Sequence, residues 1–333
     1  MGSKLLRGKI GILFLMAVLL VFAAASWGAE YANPQLLADA KLVAENAGKP
    51  DWVVIDCRDR KDYDAGHIPG AVSLGAPCGK VLRDTSLRVK KTEDLEKMLG
   101  EAGVSMDKNV VVYADAKLIT SASVAFWALE YLGHDKVRLL NGGIEAWKGE
   151  GKALDTAETA PQPATFKAKI VKSRIASSDE VLRVAKGQAK GVNLIDGRTG
   201  KENKGEDIRS LRGGHIPNTT KNVSHIDTYD PQTGVLHTMD ELQSEKLYAG
   251  LDKSKRSIAY CQTGTRSTLT YLELRLMGFK DPANYDDSWI IYGSNVDYPV
   301  ANENWYDFVK ANDAIKAIDE IKKDLEEMKK ARP

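Results

Sequence analysis

Cysteine is scarce: Cys57, Cys78 and Cys261 are the only three in 333 residues. Three thiols cannot build a disulfide framework or a four-thiolate metal centre, so any cysteine chemistry rests on one thiol or one pair. An excess of charge is missing too. Lys plus Arg number 47 against 46 for Asp plus Glu, a net charge of +1, so no global field exists to hold a polynucleotide or an anionic membrane surface. Hydrophobic residues at 43% and charged residues at 28% exclude both a polytopic membrane protein and a disordered chain. The length suggests two globular domains once a targeting segment is set aside.

Such a segment opens the chain. Lys4, Arg7 and Lys9 precede an uncharged apolar run at 10–25, followed by small residues. Residues 1–29 therefore read as a signal peptide, with an uncleaved membrane anchor as the alternative. Either way the globular part is expected to be exported, to the periplasm or an equivalent compartment. An oxidising compartment is implied, where a free reactive cysteine needs a reductant or a substrate that keeps it in use.

The remainder contains an internal repeat. An apolar strand runs into Asp56-Cys57-Arg58 in the first half and into Asp196-Gly197-Arg198 in the second. Each triplet is followed by Gly-His-Ile-Pro, at 66–69 and at 214–217, the second after a charged insertion. Each copy then offers an apolar strand ending in Tyr, at 110–113 and 257–260, a short polar loop, and a helical pattern, at 122–132 and 267–277. Gly133 and Gly278 stand as helix stops. Uniformly apolar strands alternating with helices imply parallel sheets covered on both faces, an α/β fold built twice. The expected division is 30–156, a linker at 157–168 marked by Pro161 and Pro163, 169–309, and a separate C-terminal element at 310–333.

The second copy's loop carries the chemistry: Cys261, Gln262, Thr263, Gly264, Thr265 and Arg266, between a strand end and a helix start. Open α/β sheets bind ligands at such carboxyl ends. A loop of this length curls so that backbone N–H groups point inward as an anion nest, and the helix N-terminus adds positive potential. That field favours the nucleophilic thiolate. The bland alternative, an inert buried cysteine, does not need Gly264 and Arg266 at these offsets.

The duplicated motifs, with Asn141-Gly142-Gly143-Ile144-Glu145-Ala146-Trp147, Tyr285-Asp286-Asp287-Ser288-Trp289, Gly293 and Pro299-Val300, resemble the tandem-domain rhodanese family of sulfurtransferases, in an exported bacterial form. The resemblance covers roughly residues 35 to 309. It implies two rhodanese-like α/β domains, each a parallel sheet with helices on both faces, the second catalytic. It also implies a persulfide on Cys261, with sulfur moving from a small anionic donor to a thiol or cyanide acceptor and no cofactor or metal. Cysteine phosphatases and arsenate reductases also close a cysteine cradle with arginine, but over a loop one residue longer; the shorter ring suits sulfur. A periplasmic persulfide or polysulfide carrier is the alternative of a different class. Mammalian-type thiosulfate enzymes have cations directly after the cysteine, and mercaptopyruvate enzymes have small residues and a final Thr. Gln262, Thr263 and Arg266 match neither; a single cation at the loop edge suits thiosulfate over 3-mercaptopyruvate.

In the first copy Ala114 stands where Cys261 does, so that domain is silent. Cys57 is read as a core residue, with a Cys57–Cys78 disulfide as the alternative. His67 and His215 recur in both turns and are read as structural. Asp196 and Arg198, recurring as Asp56 and Arg58, are expected to orient the loop as an internal ion pair. Arg212 and Lys201, with Arg266, are candidate contacts to an anionic substrate. Trp289 is core or an aromatic neighbour of the loop. At the C-terminus Ala314, Ile318, Ile321, Leu325 and Met328 follow spacings of 4, 3, 4 and 3, a heptad stripe. This helix is expected to pack back on its own domain, with self-association through 314–328 as the alternative.

Overall fold

Apolar, largely β-branched segments become the buried strands. The computed structural model describes residues 30–330; the segment read as a signal peptide lies outside the described residues. The first unit has strands β1 (Leu37–Ala38), β2 (Trp52–Asp56), β3 (Ala71–Ser73), β4 (Asn109–Tyr113) and β5 (Val137–Leu140), all parallel, in the order β1-β5-β4-β2-β3. The two-residue period of a strand sends Val53, Ile55, Val110 and Val112 into one apolar cluster and Val54, Val111 and Tyr113 into another. Both faces are thus covered, as a parallel sheet requires.

The second unit repeats the plan with β6 (Val192–Asp196), β7 (Arg212–His215), β8 (Lys221–Asn222), β9 (Arg256–Tyr260), β10 (Asp281–Asn284) and β11 (Ala301–Trp305). Four of these form a parallel sheet in the order β10-β9-β6-β8. The register is the same in both units: Asp56 lies opposite Tyr113 and Asp196 opposite Tyr260. β7 and β11 leave the sheet and pair antiparallel with each other, a ribbon for which Arg212-Gly213-Gly214-His215 gives no alternating signal.

The two units share a core. Helix Ile119–Tyr131 of the first packs on helix Ser267–Leu276 of the second, and Leu269, Tyr271, Leu272 and Leu276 belong to the same apolar cluster as Phe126 and Leu129. Ser123 and Thr268 hydroxyls meet at 2.8 Å across the seam, and Arg275 forks onto Glu130 at 2.9 Å. The linker is tied down as well: Ala164 N–H donates to Gly100 O, Lys169 N–H to Leu132 O, and Phe166 is buried in the first core. With an apolar, hydrogen-bonded seam, the first domain is a fixed wall of whatever site the second domain builds.

Two expectations change. Cys57 is not a free core thiol but forms a disulfide with Cys78, both fully buried. The C-terminal helix, Phe308–Lys330, does not pack back on its domain over its described side chains: Phe308, Val309, Ile315, Ile318 and Ile321 are all exposed, while the side chains of Leu325 and Met328 lie outside the described residues.

Candidate active site

The site grows from the end of β9. Tyr260 is buried at the strand terminus, and Cys261 begins the turn into helix Ser267–Leu276 with its side chain fully buried. Flanking bonds pin the turn: Cys261 N–H donates to Ser288 Oγ (3.0 Å), while Trp289 N–H donates to Cys261 O (3.0 Å) and Ile290 N–H to Gln262 O (2.8 Å). Gly264 has φ +78°, and a Cβ there would lie 2.4 Å from Asp286 O. Only glycine fits both the left-handed backbone and that contact.

The thiol sits in a favourable field. Ser267 Oγ lies 3.5 Å from Cys261 Sγ and 2.6 Å from Asn284 Oδ1. Burial pushes the Cys261 thiol up, but the charge of Arg266, the Ser267 hydroxyl and the amides of Ser267 and Thr263 outweigh it. The thiol is therefore held below its ordinary range, as an activated cysteine requires.

Arg266 is not a free cation. Its guanidinium forks onto Glu202 at 2.8 and 2.7 Å, and Glu202 is fully buried. Burial alone would raise the Glu202 carboxyl, yet Arg266 and the Thr199 N–H bring it down to about 2. Glu202 lies in the short helix Gly200–Asn203, closed by a capping box with Thr199. The exposed Arg209 stands 3.9 Å from the same carboxylate, while its backbone oxygen accepts from Gln262 Nε2 at 3.0 Å. The insertion of the second copy thus supplies the loop's counter-ion and its rim.

The remaining sequence candidates separate. Asp196 and Arg198 form the expected buried pair at 2.7 Å, and Arg198 Nη2 donates to Gly214 O just as Arg58 Nη2 does to Gly66 O. Arg198 also stacks on Trp289, 4.4 Å from the ring centroid, which places that indole in the core beneath the loop. His215 and His67 bond backbone carbonyls of Asn203 and Tyr63 through Nδ1, structural roles as expected. Arg212 is a correction: it is buried and its guanidinium is engaged by Glu303 and the carbonyls of Gly293, Asn295 and Tyr298, so it holds the β7–β11 end instead of reaching a substrate. Lys201 is exposed beside Glu202 on the insertion helix. Among the described residues no cluster of side chains suits a metal ion.

Sequence reasoning missed Arg83. This residue of the first domain is 4% exposed and reaches the Cys261 loop, donating to Thr263 O (2.6 Å), Gly264 O (2.9 Å) and the Asp286 carboxylate. Glu202 was missed as well, although the Thr199-x-x-Glu202 capping-box spacing was there to be read. His225 completes the surroundings: burial and the nearby Arg266 push it down to about 4, so the imidazole is neutral at pH 7.

Comparison with known proteins agrees with this construction. The rhodanese-like domain model matches residues 39–150 and 180–290. A thiosulfate sulfurtransferase of Corynebacterium glutamicum is 35% identical over 286 residues, spanning 81% of this chain and 92% of that protein. The sulfur carrier protein TtuD of Thermus thermophilus is 32% identical over 287 residues, spanning 81% and 98%. Among solved structures, an anaerobic ergothioneine biosynthesis enzyme from Chlorobium limicola superposes with a TM-score of 0.72 at 21% identity, covering 82% of this chain and 71% of its own, a likeness of fold. Two α/β units in register, one carrying an activated cysteine at a strand-to-helix turn, and relatives matched along most of their length lead to one conclusion: the chain belongs to the rhodanese family and is a sulfurtransferase with two rhodanese domains in tandem.

Proposed function

We propose that Cys261, as thiolate, takes the outer sulfur of a small anionic donor, thiosulfate first, and passes it to a thiophilic acceptor, cyanide or a thiol. The observation that carries this reading is the place of the thiol, at the end of β9 with Sγ 3.5 Å from Ser267 Oγ at the start of helix Ser267–Leu276, where the Arg266 charge favours the thiolate. In the first half-reaction the thiolate attacks the outer sulfur, the S–S bond of thiosulfate breaks, and sulfite leaves with the electron pair. In the second, cyanide attacks the persulfide sulfur, thiocyanate departs and the thiolate is regenerated. Inward amides and the helix N-terminus stabilise negative charge on the sulfur in both steps. The loop is too short to cradle a tetrahedral phosphate, which disfavours phosphatase or arsenate chemistry.

A carrier role is the second reading. Cys261 is fully buried and Arg266 is neutralised by Glu202, which suits storage of a persulfide for a protein acceptor, and a relative bears the name of a sulfur carrier. The proposed export of the chain agrees with a disulfide in its first domain. Cys261→Ser is expected to abolish thiocyanate formation from thiosulfate and cyanide while the fold survives, because serine is nearly isosteric. Transfer persisting in the serine variant would remove Cys261 from the reaction; loading without turnover in the wild type would favour the carrier.

A further inference from the structure

The silent domain holds a disulfide and an arginine that meet the catalytic loop along one path. Cys57 follows β2 at the carboxyl edge of the first sheet, where its N–H donates to Tyr113 O (2.7 Å). Its carbonyl accepts from Ser121 Oγ (2.7 Å) and from Cys78 N–H (3.4 Å), and the Cys57–Cys78 bridge closes a loop of sequence separation 21. Cys78 starts the short helix Cys78–Val81. Buried Leu82 comes next, and then Arg83 crosses the seam.

What Arg83 does there follows from peptide geometry. In a planar trans peptide the C=O and the next N–H point in opposite directions. Arg83 draws the carbonyls of Thr263 and Gly264 toward itself at 2.6 and 2.9 Å, with Asn284 Nδ2 also on Gly264 O at 3.1 Å. The N–H groups of Gly264 and Thr265 are thereby turned to the opposite side of the loop, away from Arg83. Asp286 fixes the guanidinium and also accepts from Val89 N–H at 2.7 Å, so the whole turn 83–89 is fastened to the second domain.

We infer that Arg83 is a positioning residue for the Cys261 loop and that the Cys57–Cys78 disulfide holds Arg83 in place, so that reducing the bridge lowers the reactivity of Cys261. The reduction is balanced by a dithiol: two electrons and two protons pass to the bridge, leaving two thiols, and the dithiol closes to its own disulfide. The silent domain is then a redox-sensitive support for the active one. The inference rests on Cys261 being the reactive thiol. It does not require that thiosulfate be the donor.

The test is the rate of Cys261 alkylation by iodoacetamide against pH, with no sulfur donor present. A chain unable to load sulfur from thiosulfate would still answer it, which separates failure here from failure of the proposed reaction. Arg83→Met alone would leave Asp286 buried without its cation, so it is paired with Asp286→Asn; Arg83→Lys keeps the charge without the fork. Losing charge-assisted bonds to two loop carbonyls is expected to slow alkylation at pH 7 about tenfold and to raise its pH midpoint, with the lysine variant in between. Cys57→Ala/Cys78→Ala, in which Cys78 N–H and Ser121 still tether the segment, is expected to slow it about threefold by the same reasoning. Combining all four substitutions is expected to cost no more than the Arg83 and Asp286 pair alone, because the bridge acts through Arg83. Wild-type rates and midpoint in the Arg83 variants, or losses that multiply in the combination, would overturn the inference.

Discussion

Glu202→Gln separates the two roles of one ion pair. In the fold the Glu202 carboxyl is held at about 2 against an ordinary 4.5. A group depressed on folding contributes stability that is fully present above its unfolded value and is lost as pH falls through the folded one. The window is therefore about pH 4.5 down to 2. The difference is at most about 3–4 kcal/mol at pH 7, which solvent screening of the pair with the partly exposed Arg266 lowers to roughly 2–3 kcal/mol. Glutamine keeps the shape and one acceptor but not the charge, so Glu202→Gln is expected to lose roughly 2–3 kcal/mol in urea titrations at pH 7 and almost nothing near pH 2. The effect on the thiol has the opposite sign to that of the partner substitution. Removing the carboxylate leaves the Arg266 charge uncompensated beside Cys261, so the alkylation midpoint falls; Arg266→Gln removes the stabilising charge, so the midpoint rises. Midpoints moving the same way in both variants, or a stability loss independent of pH, would refute the assignment of Glu202 as counter-ion to Arg266.

Gly264→Ala forces a Cβ to within 2.4 Å of Asp286 O at φ +78°; strain of about 1–3 kcal/mol displaces the loop, and sulfur transfer is expected to fall at least tenfold with a lower melting temperature, both read on the same preparation. Glu273, fully buried on helix Ser267–Leu276 and accepting from the Tyr248 hydroxyl, is pushed up by burial to about 8 from 4.5. Its contribution is fully present below about pH 4.5 and lost as pH rises toward 8, on the order of 4–5 kcal/mol. Glu273→Gln should therefore lose less melting temperature than the wild type between pH 5 and 9 and exceed it at pH 9, whereas parallel melting curves would contradict the buried neutral acid.

The parts of this molecule that could be read in the sequence are those written locally or written twice. Asp56-Cys57-Arg58 and Asp196-Gly197-Arg198 close their ion pairs within a triplet, and the Cys261 loop carries its glycine and arginine within a few positions. Their geometry follows from adjacency. Arg83 lies 180 positions from Thr263 and Glu202 lies 64 from Arg266, and nothing in a charged turn marks which distant carbonyl or guanidinium it will meet. Arg212 misled for the same reason: a lone arginine in a charged insertion suggests a surface cation, while the carbonyls that bury it come from residues after position 292. The Cys57–Cys78 bridge needed the distance between two segments that only the fold provides. The C-terminal helix showed its period plainly, but a stripe does not name what covers it.

Intact-mass measurement of the purified protein before thiosulfate, after thiosulfate, and after cyanide tests the persulfide directly. The wild type is expected to gain the mass of one sulfur atom and to lose it to cyanide as thiocyanate, and Cys261→Ser is expected to show neither change. A wild type that gains no sulfur, or a serine variant that does, would contradict sulfur transfer through Cys261.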